Sequence, residues 1–239
     1  MPARGLLLLT ACSAAALAVL IGLGLWQLQR LQWKEGLIAQ IEARVKAEPV
    51  SLKEAVAQAS AGEDVSYLRV RVEGRFDNVK ERYLFAVSDG TPGWHVITPL
   101  ETPDREVVLV DRGFVPDALR DPAARPQGEI GDAVTVTALA RPPETQGLFV
   151  PDNEIEQNRW FWRDFKAMTK SMFGEGTKEV APFFLEAEKS DVPGGWPRGG
   201  ETRLDLPNNH LQYAITWFLL ALCLVVIYVI YVRSRLNAA

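Results

Sequence analysis

Leu206-Pro207-Asn208-Asn209-His210-Leu211-Gln212-Tyr213-Ala214-Ile215-Thr216-Trp217 leads into the second of two apolar runs, and its reading decides the rest. Pro207 stops whatever precedes it. The side chain of Asn208 or Asn209 can accept a hydrogen bond from a free backbone N–H and so cap a new helix. His210 then falls in the first turn, with Tyr213, Ala214 and Trp217 following at helical spacing. Residues 211–232 carry no charge. That is about 33 Å of helix at 1.5 Å per residue, enough for a bilayer core of about 30 Å. His210 therefore sits where a membrane-spanning helix meets water. Two readings stand for it: polar residues dressing a helix end, or an ionisable functional group with a partner to be found.

Working outward, the N-terminal run is the counterpart. Arg4 is followed by an uncharged stretch, residues 5–26. Leu9-Thr10-Ala11-Cys12 resembles a lipoprotein cleavage box, but the apolar run continues for more than ten residues past it. An uncleaved transmembrane helix over residues 5–28 is the reading that fits, paired with a second over 209–232. Arg4, Arg233 and Arg235 flank the two runs on the sides expected to be cytoplasmic. Arg30 and Lys34 argue the other way, but the segment they open is long enough to translocate regardless of charge. The expected topology has both termini, with the tail 233–239, in the cytoplasm and residues 29–206 outside.

All 30 acidic residues and 23 of the 26 basic ones lie within 29–206, which leaves that segment seven charges negative. Nucleic acid is an unsuitable partner for such a surface, because phosphate contacts need an excess of Lys and Arg. Both cysteines, Cys12 and Cys223, fall inside the apolar runs, so the middle has no disulfide, thiol nucleophile or Cys-based metal site.

At the exit of the first run, Trp26, Arg30, Trp33 and Leu37 form one helical stripe. Tryptophans there are belt anchors for membrane lipids, and an Arg between them can pair with lipid phosphate, stack on Trp or hold an anionic ligand. The helix is expected to run on to about residue 45, and residues 52–59 form a second amphipathic stretch. From Tyr67 the period changes to two. Strands are predicted over 68–76, 83–87, 94–98, 106–114, 133–140, 158–165 and 180–187, with a short helix reaching Phe173. Residues 88–93, 117–131 and 193–200 read as loops. The fold class is α+β: an antiparallel, partly barrel-like β domain with a few helices, flanked by two transmembrane helices.

A search of the middle for chemistry finds no phosphate loop, no HExxH, no CxxC and no Gly-x-Ser-x-Gly. His95, beside Trp94, reads as a surface or hydrogen-bonded strand residue. Asp111-Arg112-Gly113 reads as an ion pair and turn glycine at a strand end. Asp152, Glu154 and Glu156 read as a solvated loop. No nucleophile is accompanied by a base, so the chain does not read as an enzyme.

Four stretches carry a family resemblance: Leu25-Trp26-Gln27-x-x-Arg30-x-x-Trp33-Lys34, Thr98-Pro99-Leu100, Val110-Asp111-Arg112-Gly113-Phe114-Val115-Pro116, and residues 207–217. In order and in placement they resemble the surfeit-locus family of cytochrome c oxidase assembly factors. The family often has Asn where Asp111 stands and Trp where Phe114 stands.

The resemblance implies a protein of the bacterial inner membrane with a periplasmic middle domain. It implies a role in maturing haem-copper oxidase by handling haem A for the large oxidase subunit, with haem A synthase as a further partner. In bacterial members, haem A binding is linked to the His that matches His210. A His at a membrane interface suits an axial iron ligand. Trp26, Tyr213 and Trp217 would offer flat apolar walls, and Arg30, Arg198 or Arg203 could pair with propionates. Copper delivery would need Cys or Met ligands near the outer surface, whereas both Cys lie toward the cytoplasmic half and the three Met are Met1, Met168 and Met172. A membrane oxidoreductase would need a second redox centre. The alternative within the pathway is a scaffold that holds oxidase subunits or haem A synthase together without binding haem.

Overall fold

The computed structural model describes residues 3–175, 179–202 and 206–237. Both apolar runs are helices, α1 (Ala3–Lys46) and α4 (His210–Asn237). Each is long and apolar enough to cross a membrane. The chain divides into two compact units, Met1–Ile41 with Leu204–Ala239, and Glu42–Arg203. The first contains most of α1 and all of α4; the second is β-rich.

In the β unit, β1 (Val50–Ser51) leads into α2 (Leu52–Ser60), whose start is capped by Ser51 accepting the Glu54 N–H at 3.2 Å. The remaining strands are β2 (Arg69–Phe76), β3 (Arg82–Ser88), β4 (Thr91–Glu101), β5 (Val107–Pro116), β6 (Val134–Arg141), β7 (Arg159–Trp160) and β8 (Val180–Ala187). Helix α3 (Phe165–Phe173) starts on an Asp164 cap that accepts the Ala167 N–H at 3.0 Å.

The ladder runs β2-β6-β8-β5-β4 and returns to β2 through Arg75↔Glu101 and Phe76↔Leu100, so five strands close into a barrel. Closure removes the edges that those strands would otherwise expose. Only β5–β8 is parallel within the ring; the other four pairings are antiparallel.

Period two is what fills the barrel. Val70 and Val72, Val108 and Val110, Ala138 and Ala140, and Phe183 and Leu185 share one core cluster, which Leu52 and Ala55 of α2 join. The alternate residues Leu109 and Phe184 face a second cluster with Trp160, Met168 and Met172. Because α3 and β7 cover that outer side, β5 is buried from Val107 through Val115. A strand buried on both faces reads as a continuous apolar run, as 107–110 does.

Three expectations change. The predicted loop 88–93 is a tight hairpin: Asp89 and Gly90 take positive φ, Ser88 pairs with Thr91, and β4 already begins there. Asp-Gly is a preferred pair for such a turn. The predicted strand 158–165 contracts to two residues, because the Asn153 side chain takes the N–H of Phe161 (2.8 Å) and Trp162 (3.3 Å) in place of a ladder partner. Glu154 is not simply solvated, since it pairs with Arg159.

Candidate functional site

Within the helical unit, α1 and α4 run antiparallel. Thr10 hydroxyl meets Tyr228 hydroxyl at 2.7 Å, and Gln27 meets His210 seventeen residues further along α1 and eighteen back along α4. Between them Gly24, Ala214 and Ala221 are buried. A Cβ on Gly24 would lie 2.6 Å from the Phe218 ring, so the helices approach over a glycine. Small residues at the contact are the usual means of close packing between membrane helices.

His210 opens α4, with its N–H directed to the Asn208 side chain at 3.4 Å. Its Nδ1 lies 2.7 Å from Gln27 Oε1. An amide oxygen only accepts, so Nδ1 carries the proton and donates. Nε2 has no partner among the described residues. Trp217, two turns on, shares the face of Ala214 and is half-buried. Trp26 and Tyr213 are 51% and 55% exposed. Arg30 is also outward; its guanidinium stacks on Trp33 at 4.2 Å. Arg203 lies outside the described residues.

The β unit has a cleft of about 720 Å³ lined by His95, Asp111, Arg163, Glu186 and Arg198, among others. Asp111 and Arg112 do not pair with each other, as the sequence suggested, because adjacent strand residues face opposite sides. Arg112 stacks on Phe76 and bonds Glu81, Asn78 Oδ1 (3.1 Å) and the Gly128 carbonyl. Asp111 accepts from His95 Nδ1 (2.9 and 3.0 Å), Arg163 Nη2 (3.0 Å) and Gly113 N–H (3.0 Å). Arg163 also donates to Glu186 (2.7 Å) and Glu144 (3.0 Å).

The glycine is needed there. β5 carries an extra residue opposite His95–Ile97, Gly113 takes φ +112°, and a side chain on it would run into the Arg198 carbonyl. Burial would push the Asp111 carboxyl up, but His95 and Arg163 outweigh it and hold it well below the usual carboxylate range. Burial pushes His95 down, yet the Asp111 charge and hydrogen bond leave it raised, against opposition from Arg163. Arg198 is engaged by Glu201 (2.8 Å) and by Asp89.

The structure thus joins His210 to Gln27, which the sequence places in the Leu25-Trp26-Gln27 motif without giving it a role. Among the described residues no group of three or more His, Cys, Asp or Glu could hold a metal ion. A lone imidazole whose Nε2 has no partner among the described residues suits a metal that arrives already held in a macrocycle.

Comparison with known proteins gives one answer. The SURF1 family model matches residues 14–222. Human Surfeit locus protein 1 is 40% identical over 215 residues, covering 82% of this chain and 68% of the human protein. The mouse protein of that name is 38% identical over 218 residues, covering 84% and 68%. The one from Takifugu rubripes is 36% identical over 219 residues, covering 84% and 87%.

Proposed function

Since this chain belongs to the SURF1 family, known as cytochrome c oxidase assembly factors, we propose that it binds haem A and assists its insertion into the large oxidase subunit, with haem A synthase as the upstream partner. His210 is the iron ligand through Nε2. Trp26, Tyr213 and Trp217 flank the macrocycle, and Arg30 and Arg203 are the cations for the propionates. The bound group supplies the iron that takes the imidazole; the chain's own residues orient that imidazole and offer apolar surface. The proposed setting is a bacterial inner membrane, with both termini cytoplasmic and the β domain periplasmic.

The observation that carries the reading is the His210 ring, anchored at Nδ1 by Gln27 and without a partner at Nε2 among the described residues. Metal-binding histidines are held in this way, by the ring nitrogen that does not bind the metal. The exposure of Trp26 and Tyr213 leaves both side chains free to meet a ligand.

The test is the haem absorbance of purified protein, made in cells that synthesise haem A and normalised to protein. His210→Ala should insert normally, because Ala is the better helix former, and lose the axial bond and most of the haem. Equal haem with an unchanged spectrum would reject the ligand and favour a scaffold that holds oxidase subunits or haem A synthase without binding haem.

A further inference from the structure

We infer that Gln27 is a positioning residue: it holds His210 in the Nδ1–H tautomer, so that Nε2 is the nitrogen offered to iron, and it does so with a neutral acceptor that keeps the bond exchangeable. The inference rests on the haem reading above and concerns the same site.

The argument starts from what a glutamine costs in that position. Gln27 lies on the face of α1 that meets α4, one turn past the buried Gly24. A polar amide at such a contact is unfavourable unless it is hydrogen-bonded. Its oxygen meets His210 Nδ1 at 2.7 Å, a short bond for this donor type. The amide could face the ring in only two ways. With oxygen toward Nδ1, the ring proton sits on Nδ1 and Nε2 keeps its lone pair. With nitrogen toward Nδ1, the proton moves to Nε2 and the ring cannot bind a metal there. The contact to Oε1 is the arrangement that permits ligation.

The chemical type of the acceptor matters as much as its place. A carboxylate pulls on the Nδ1 proton and makes the other nitrogen a stronger ligand. His95 has such a partner in Asp111; His210 has an uncharged one. A protein that must give its haem to an oxidase subunit needs the weaker bond. His210 itself is held in place by Asn208 at its N–H, so the ring orientation depends on Gln27 rather than on a mobile backbone.

The experiment uses the full chain in lipid nanodiscs. In haem-free protein with 15N-labelled histidine, long-range proton–nitrogen spectra report the tautomer, and His210→Ala assigns the signal. The wild type should show Nδ1–H, and Gln27→Leu should lose that preference. In haem-loaded protein, release to an excess of apomyoglobin should be on the order of 10-fold faster in Gln27→Leu, the size expected for loss of a hydrogen bond behind a metal ligand. In Gln27→Glu release should be slower than in wild type, which a merely structural role would not produce. An Nε2–H tautomer in the wild type, or release unchanged in both Gln27 variants while His210→Ala loses haem, overturns the positioning role alone. Full haem retention by His210→Ala overturns the haem reading and this role with it.

Discussion

His95 in the barrel and His210 on the helix pair both anchor Nδ1 on an oxygen, at 2.9 and 2.7 Å. The oxygens differ. Asp111 is a carboxylate, 2% exposed, that is itself tied to Arg163 and the Gly113 N–H. Gln27 is a neutral amide between two helices. In the barrel the imidazole is one member of a chain that runs on through Asp111 and Arg163 to Glu186 and Glu144. Such a chain is stable only when all its members are present. On the helix pair the imidazole has one partner among the described residues, and its Nε2 has none there. The same side chain is tied into a charge network in one unit and has a single neutral partner in the other, and the charge of the acceptor makes the difference.

The largest effect that would sharpen this contrast is Asp111→Ala. It leaves Arg163 short of one carboxylate and His95 without its acceptor, in a site where buried charges need partners. Breaking a buried pair in this way costs about 3–5 kcal/mol. Thermal or urea unfolding of the β unit, followed in the full chain, should show it. Haem carried per folded molecule should not change. Parallel loss of haem in the folded fraction would break the separation drawn between the two units.

A smaller effect concerns pH. The folded-state pKa of His95 is raised above the ordinary value of about 6.5. The stability it contributes is therefore complete below about pH 6.5 and is lost as pH rises through the folded value. Asp111 is shifted the other way, so its contribution fades only as pH falls below the ordinary carboxylate range of about 4. Within the His95–Asp111 pair, the change above about pH 6.5 belongs to His95. His95→Gln should cost about 1.5–3 kcal/mol at the acid end, as loss of a charge-assisted hydrogen bond. The gap between variant and wild type should narrow toward the alkaline end. A constant gap would mean that the ring acts through shape alone.

How much of this the sequence held differs between the units. Helices announce themselves by composition, and the two runs and the Asn-rich start of α4 were legible as such. So was β8, where Val180–Ala187 came out as predicted. Strand partners were not legible. His95 and Asp111 are sixteen residues apart and meet only because Gly113 adds a bulge that shifts the register, and register is set by pairing across space. Arg163 reaches them from a stretch read as a strand, in which Asn153 took over the hydrogen bonds of a ladder. At the helix pair, His210 stood out because an ionisable group at an apolar boundary is conspicuous. Its partner stays open in the sequence, because only the antiparallel register of α1 and α4 brings Gln27 opposite.

The smallest expected effect is at Arg30. In the sequence it shares a stripe with Trp26 and Trp33, and the resemblance implies it as one of three candidate propionate partners, with Arg198 and Arg203. In the structure its guanidinium is engaged by the Trp33 ring at 4.2 Å, on an outward face. A stacked guanidinium keeps its charge and most of its N–H donors, so stacking and anion binding are compatible. Arg30→Ala should cost about 0.5–1 kcal/mol from the lost stacking. It should loosen haem without abolishing it, because the proposed axial bond at His210 does not depend on it. Arg30→Lys separates the two roles: the ammonium retains the charge for a propionate but loses the flat contact with Trp33. If Lys restores haem retention, charge is the property in use. If Lys behaves as Ala does, Arg30 serves to fix Trp33, and the propionates depend on another cation.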